Sequence, residues 1–133
     1  MIQLDDFVCN LSLAFKKMGY KKNRLTWYME KEKLTVVFSI QKSQYESDTW
    51  YYYFGICLHD LANEGRRSMH GCQVKYRVDN VISGVLLSPE KVVNLLERWD
   101  SMYGDLRLLR TAAIEGNLPG QCTVNALSYL SSI

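Results

Sequence analysis

Residues 34 to 58 read LTVVFSIQKSQYESDTWYYYFGICL, and no other stretch restricts the fold as much. Leu34, Val36, Phe38 and Ile40 alternate with Thr35, Ser39 and Gln41, the period-two pattern of a half-buried strand. Val37 is the one break in it. Ser43 to Asp48 makes a polar turn. From Trp50 to Leu58 the chain is apolar on both faces, with Trp50, Tyr52, Phe54, Ile56 and Leu58 on one side and Tyr51, Tyr53, Gly55, Cys57 and His59 on the other. A strand of that kind belongs in the middle of a sheet.

The flanking segments extend the sheet. Leu25, Trp27 and Met29 alternate with Thr26 and Tyr28, and the charged run Glu30 to Lys33 turns the chain. Beyond a polar loop from Asp60 to Met69, Cys72, Val74, Tyr76 and Val78 alternate with Gln73, Lys75 and Arg77. Four strands joined by short connections predict an antiparallel meander. Helices are expected on either side of it in sequence. Leu4, Phe7, Val8, Leu11, Ala14, Phe15 and Met18 form one apolar stripe, with Asp5 and Asp6 in the first turn, Lys16 and Lys17 in the last, and Gly19 placed to end it. Ser88-Pro89 starts a second helix, with Val92, Leu95, Leu96, Trp99 and Met102 inward and Gly104 at its end. Asp105 to Glu115 and Thr123 to Ser132 read as two shorter helices, separated by the break Gly116 to Gly120. The expected fold is a single α+β domain over residues 1–133: an N-terminal helix, a four-stranded antiparallel meander, and two to three C-terminal helices packed on the sheet.

With 133 residues and 47% apolar content, such a chain buries roughly two-thirds of its unfolded surface without disulfides. A formal charge of +2 is too small to argue for nucleic acid or an anionic membrane. No apolar run approaches the ~20 residues of a membrane span. The opening MIQLDDF lacks the pattern of a secretory leader. Four scattered cysteines without a CxxC fit a reducing cytoplasm.

The order of several short motifs resembles a known family. Gly19-Tyr20-Lys21-Lys22 closes the first helix, Gln41-Lys42-Ser43 ends a strand, Gly55-Ile56 lies in the aromatic strand, and Cys72 precedes Arg77 by five residues. Over about residues 7 to 78 this resembles the bacterial domain-of-unknown-function family numbered 4304. The resemblance implies an α+β fold and a bacterial origin, and no activity. Small proteins of this kind are sometimes encoded beside secreted toxins as immunity proteins, an analogy at the level of family.

Four constellations bear on chemistry. Cys57-x-His59 and His70-x-Cys72 would form a Cys2His2 zinc shell if residue 59 lay opposite 70. The hydrophobic register opposes that pairing. Setting Val74 against Ile56, Tyr76 against Phe54 and Cys72 against Leu58 aligns the core faces, and a one-residue slip reverses every side chain. In this register Cys72 is expected to point into the core and Cys57 away from it. The cations Lys16, Lys17, Lys21, Lys22 and Arg24 surround Tyr20, and could grip phosphates while the ring stacks on a base; the alternative is a solvated helix end complementing its dipole. Gln41-Lys42-Ser43 with Tyr45 is either a ligand-contacting strand end or a soluble turn, and the turn is preferred. For nucleophilic catalysis there is only Cys57 with His59, without a third member.

These readings converge on a non-catalytic protein-binding module, in particular an immunity protein that neutralises a toxin by direct contact. The expected contacts are Tyr51, Tyr53, His59, Arg66 and Arg67, with no cofactor, no metal and no membrane. The alternatives are a small enzyme using Cys57 and His59 and a weak nucleic-acid-binding domain. A near-neutral chain is expected to suit a partner of mixed or acidic surface. The second face of the central strand is expected to lie under helices, which would make Tyr51 and Tyr53 core residues.

Overall fold

The structure, a computed structural model, describes residues 4–42, 50–61, 68–78, 88–118 and 120–133. Helix α1 spans Leu4–Lys17. Strands β1 (Lys21–Asn23), β2 (Thr26–Glu30), β3 (Leu34–Lys42), β4 (Trp50–Leu58) and β5 (Val74–Val78) follow, with a short 3₁₀ turn at Met69–Gly71 before β5. Helices α2 (Pro89–Tyr103) and α3 (Leu106–Ile114), strand β6 (Gln121–Cys122) and helix α4 (Val124–Ser132) complete the described chain.

Among the described residues the strands form one sheet in the order β1-β2-β3-β4-β5-β6, each antiparallel to its neighbours. The meander is as expected, but it has six strands rather than four. The two additions are short edges. Lys21, Lys22 and Asn23 pair with Tyr28, Trp27 and Thr26. Cys122 and Gln121 pair with Val74 and Lys75. Gly120 makes the second edge possible: its φ is +61°, and a Cβ there would collide with the carbonyl oxygen of Lys75. A side chain at that position would push β6 off β5.

The central register follows the apolar faces. Ile56 faces Val74, Phe54 faces Tyr76 and Tyr52 faces Val78. On the other side of β4, Phe38 faces Phe54 and Val36 faces Ile56. This sheet face carries Trp27, Leu34, Val36, Phe38, Ile40, Tyr52, Phe54, Ile56, Leu58 and Val74 into the main core. All four described helices bury their apolar stripes against the same core: Phe7, Leu11 and Phe15 from α1; Val92, Leu96, Trp99 and Tyr103 from α2; Leu109 and Ala112 from α3; Ala126 and Leu130 from α4. The fold is thus two layers, helices on one face of a sheet. No described helix is long and apolar enough to cross a membrane.

The helix ends have the chemistry the sequence predicts. Ser88 accepts a hydrogen bond from the Lys91 amide, with Pro89 in the first turn. Asp105 caps α3 by accepting from the amides of Arg107 and Leu108, and Thr123 caps α4 through the Ala126 amide. Gly19, at φ +96°, ends α1. Its reversal lets the Tyr20 amide reach the Phe15 carbonyl at 2.9 Å, and the Tyr20 ring turns inward against Phe15. A second clamp joins sheet to helices: Lys31, between β2 and β3, donates to Asp100 Oδ1 at 2.5 Å and to the Gly104 carbonyl at 2.7 Å.

Candidate partner-binding face

The side of the sheet away from the described helices is built from the alternate residues of each strand. Register places Lys21, Tyr28, Val37, Gly55, Lys75 and Gln121 in one cross-strand row, and Asn23, Thr26, Ser39, Tyr53 and Arg77 in the next. Two parts of this face differ in character. One end is sealed by a small second core in which Tyr28, Val37, Cys57 and Cys72 are buried and Met69 is packed against them. That explains Val37, the residue that breaks the alternation of β3: an apolar side chain is needed on both faces here. The other end, around Tyr51, Tyr53 and Arg77, remains partly open.

Tyr51 and Tyr53 are half-buried, so the expectation that helices cover them is corrected. The described helices all direct their buried residues to the opposite face. Arg77 lies diagonally across from Tyr51, with its guanidinium carbon 4.7 Å from the ring centroid. Stacking of this kind holds the planar cation over the ring face. Tyr53, Lys75, Arg77, Gly120 and Gln121 border a cleft of about 400 Å³ at the β5–β6 edge. The cleft wall is polar and cationic, and Tyr53 supplies a broad aromatic surface.

The other expected contacts divide. His59 is partly exposed at the end of β4, and its Nε2 lies 2.8 Å from the hydroxyl of the fully buried Thr35. This bond fixes the ring beside the second core, away from the Tyr51–Tyr53 end. Arg66 and Arg67 fall outside the described residues. Arg77 and Lys75 were missed as site residues, although the register that pairs Val74 with Ile56 also sets Arg77 opposite Tyr53 and Lys75 opposite Gly55.

The cysteine expectation needs correction in one respect. Cys57 does point away from the main core, but Cys72 does not point into it. Both thiols lie in the second core. The 3₁₀ turn at Met69–Gly71 enters β5 from above the open face. The Gln73 amide donates to the Ile56 carbonyl, while the Gln73 side chain accepts from the Leu58 amide. Regular pairing therefore begins only at Val74, and Cys72 precedes the phase of the strand. Burial and the neighbouring Cys57 push the Cys72 thiol above the ordinary thiol range, with Lys75 acting in the opposite sense. His59 and His70 do not complete a four-ligand group with these thiols. Among the described residues, no three His, Cys, Asp or Glu side chains gather in a metal-binding arrangement.

The basic constellation near the first helix also resolves. Lys16, Lys17, Lys21, Lys22 and Arg24 are exposed, but Tyr20 is only 5% exposed, so its ring has no face for a base. Lys22 instead lies over the Trp27 ring, 5.9 Å from its centroid. Lys42 similarly covers Trp50 at 5.9 Å, while Ser43 and Tyr45 lie outside the described residues.

The fold and this face define a class: a sheet covered by helices on one side and presenting a basic, aromatic surface on the other. The family can then be stated. A model of the domain of unknown function DUF4304 matches residues 11–111, and the chain belongs to that family. No significant match is found among curated proteins or solved structures.

Proposed function

We propose that this chain is a non-catalytic protein-binding module that receives an acidic partner surface on the open sheet face, and that it serves in a bacterial cytoplasm as an immunity protein against a toxin. The stacked Arg77–Tyr51 pair carries this reading. Arginine and tyrosine are, with tryptophan, the residue types enriched among energetically dominant interface contacts, and here each holds the other in place before a partner arrives. Preorganisation reduces the side-chain ordering that binding would otherwise require. Lys75 beside Arg77 gives the patch a positive character suited to carboxylates.

The buried state of Cys57 supports a non-catalytic reading, since a fully buried thiol offers no face to a substrate. A stable complex of the ordinary kind would cover about 1,600 Å² in total, and the sheet face around Tyr51, Tyr53, Lys75 and Arg77 would form its centre.

The test is co-expression with the product of the gene adjacent to its own, followed by size-exclusion chromatography and a growth assay. The expected outcome is a stable complex and rescue of growth, with both reduced when Tyr53→Ala and Arg77→Glu are combined. A complex indifferent to these substitutions would place the interface elsewhere. Failure to bind or protect would reject the immunity role for that pair.

A further inference from the structure

Two sulfur atoms meet where β4 carries no side chain, and a third belongs to the same buried cluster. Gly55 lies between Tyr53 and Cys57 on the open face of the sheet. A Cβ at Gly55 would stand 2.6 Å from the Sγ of Cys72 and 2.8 Å from the Sδ of Met69. Both sulfurs therefore border one point in space above the strand. Cys57, two residues along the same face and about 7 Å further on by strand geometry, belongs to the same buried cluster as Cys72 and Met69.

The chemistry of the group is uniform. It offers two thiols and one thioether, walled by Tyr28 and Val37. Cys57 and Cys72 are 0% and 4% exposed, and neither is in a disulfide. Thiolate and thioether are soft ligands that select monovalent copper over the hard cations. Zinc favours four ligands in a structural site. The two histidines that might complete such a set are otherwise placed: His59 is bonded to Thr35, and His70 is exposed.

We propose that Cys57, Met69 and Cys72 form a binding site for copper(I). Uptake would replace the two thiol protons, which pass to solvent, and leave one net negative charge on the ion and its two thiolates. Lys75, paired with Gly55 across the β4–β5 register and on the same face, supplies the compensating positive charge. The absence of a side chain at Gly55 leaves the space in which Met69 and Cys72 come together.

The experiment uses the reduced full chain carrying Cys9→Ser and Cys122→Ala, which removes the two thiols outside the cluster. It is titrated without oxygen against copper(I) bicinchoninate, and the loss of the coloured complex is followed. One equivalent of copper is expected to move to the protein, with a sulfur-only shell in X-ray absorption and a raised melting temperature. Loss of even an outer-shell partner typically costs about 10–100-fold in metal affinity, so Met69→Leu is expected to bind at least about tenfold more weakly. Cys72→Ser is expected to abolish competition. Met69→Leu keeps the side chain's volume, so it remains informative if Cys72→Ser does not fold. The proposal is overturned if the parent takes no copper from the chelator, or if Met69→Leu competes as well as the parent.

Discussion

Arg77 of β5 stacks on Tyr51 of β4, 4.7 Å from guanidinium carbon to ring centroid, on the sheet face opposite the helices. The contact joins two neighbouring strands diagonally, since Arg77 is paired with Tyr53 and Tyr51 lies two residues along. A cation–π pair at a partly open site contributes about 0.5–1 kcal/mol. Arg77→Gln is therefore expected to lower stability by no more than about 1 kcal/mol in urea unfolding, while weakening partner binding much more strongly. A stability loss well beyond that, with binding retained, would make Arg77 a structural residue.

The crowding at Gly55 leads to a different expectation. A methyl group there would enter the space of Cys72 Sγ and Met69 Sδ, and both side chains would have to shift to admit it. Overpacking of this kind costs about 1–3 kcal/mol. Gly55→Ala should lower the urea midpoint accordingly with little change in slope. Combining it with Met69→Ala should recover part of the loss, because the double variant restores space. No recovery in that double-mutant cycle would show that the cost arises from backbone geometry instead.

Lys31 joins the β2–β3 turn to the end of α2 through Asp100 and the Gly104 carbonyl. The side chains of Lys31 and Asp100 are about a third exposed, at 32% and 36%, so solvent screens the ion pair and its share of stability is small. The bond to Gly104 adds to it. Lys31→Met is expected to cost about 1 kcal/mol, and the difference from the parent should shrink at high salt. An unchanged difference between low and high salt would assign the effect to the carbonyl bond and the packing of the Lys31 stem.

Much of the architecture can be read from the chain, and the failures have specific causes. The pairing of Val74 with Ile56 and Tyr76 with Phe54 follows from matching apolar faces. The edge strands escape that logic. Lys21–Asn23 and Gln121–Cys122 span three and two residues, too few for a period, and the lysines of β1 serve equally well as the basic end of α1. Cys72 was misplaced because a 3₁₀ turn, invisible to strand periodicity, enters just before β5. On the candidate face, Tyr51 and Tyr53 could be named from their alternation with the core residues. Arg77 needed the register and the stacking geometry together. The sulfur cluster has no sequence signature, since nothing in the spacing of Met69 marks it as a neighbour of Cys57.

Tyr20 gives a prediction in pH. Its ring packs on Phe15, while its hydroxyl is buried without a hydrogen-bond partner in the described structure. Burial, reinforced by the nearby Asp100 carboxylate, raises its pKa well above the ordinary tyrosine value of 10.0. The folded state thus holds the phenolic proton more tightly than the unfolded chain. Tyr20's contribution is fully present below the unfolded pKa of about 10. Above that pH the unfolded state loses its proton first, so stability falls with rising pH until the folded pKa is reached. Tyr20→Phe removes both the titrating group and the unpartnered hydroxyl. It is expected to be neutral or to stabilise the protein by about 1 kcal/mol at neutral pH, and to flatten the decline between about pH 10 and 11. Urea melts of the two proteins at pH 7, 9 and 11 measure both effects. An equal decline in the variant would assign the alkaline sensitivity to other groups, such as Tyr129, whose hydroxyl donates to Asp60 at 2.6 Å.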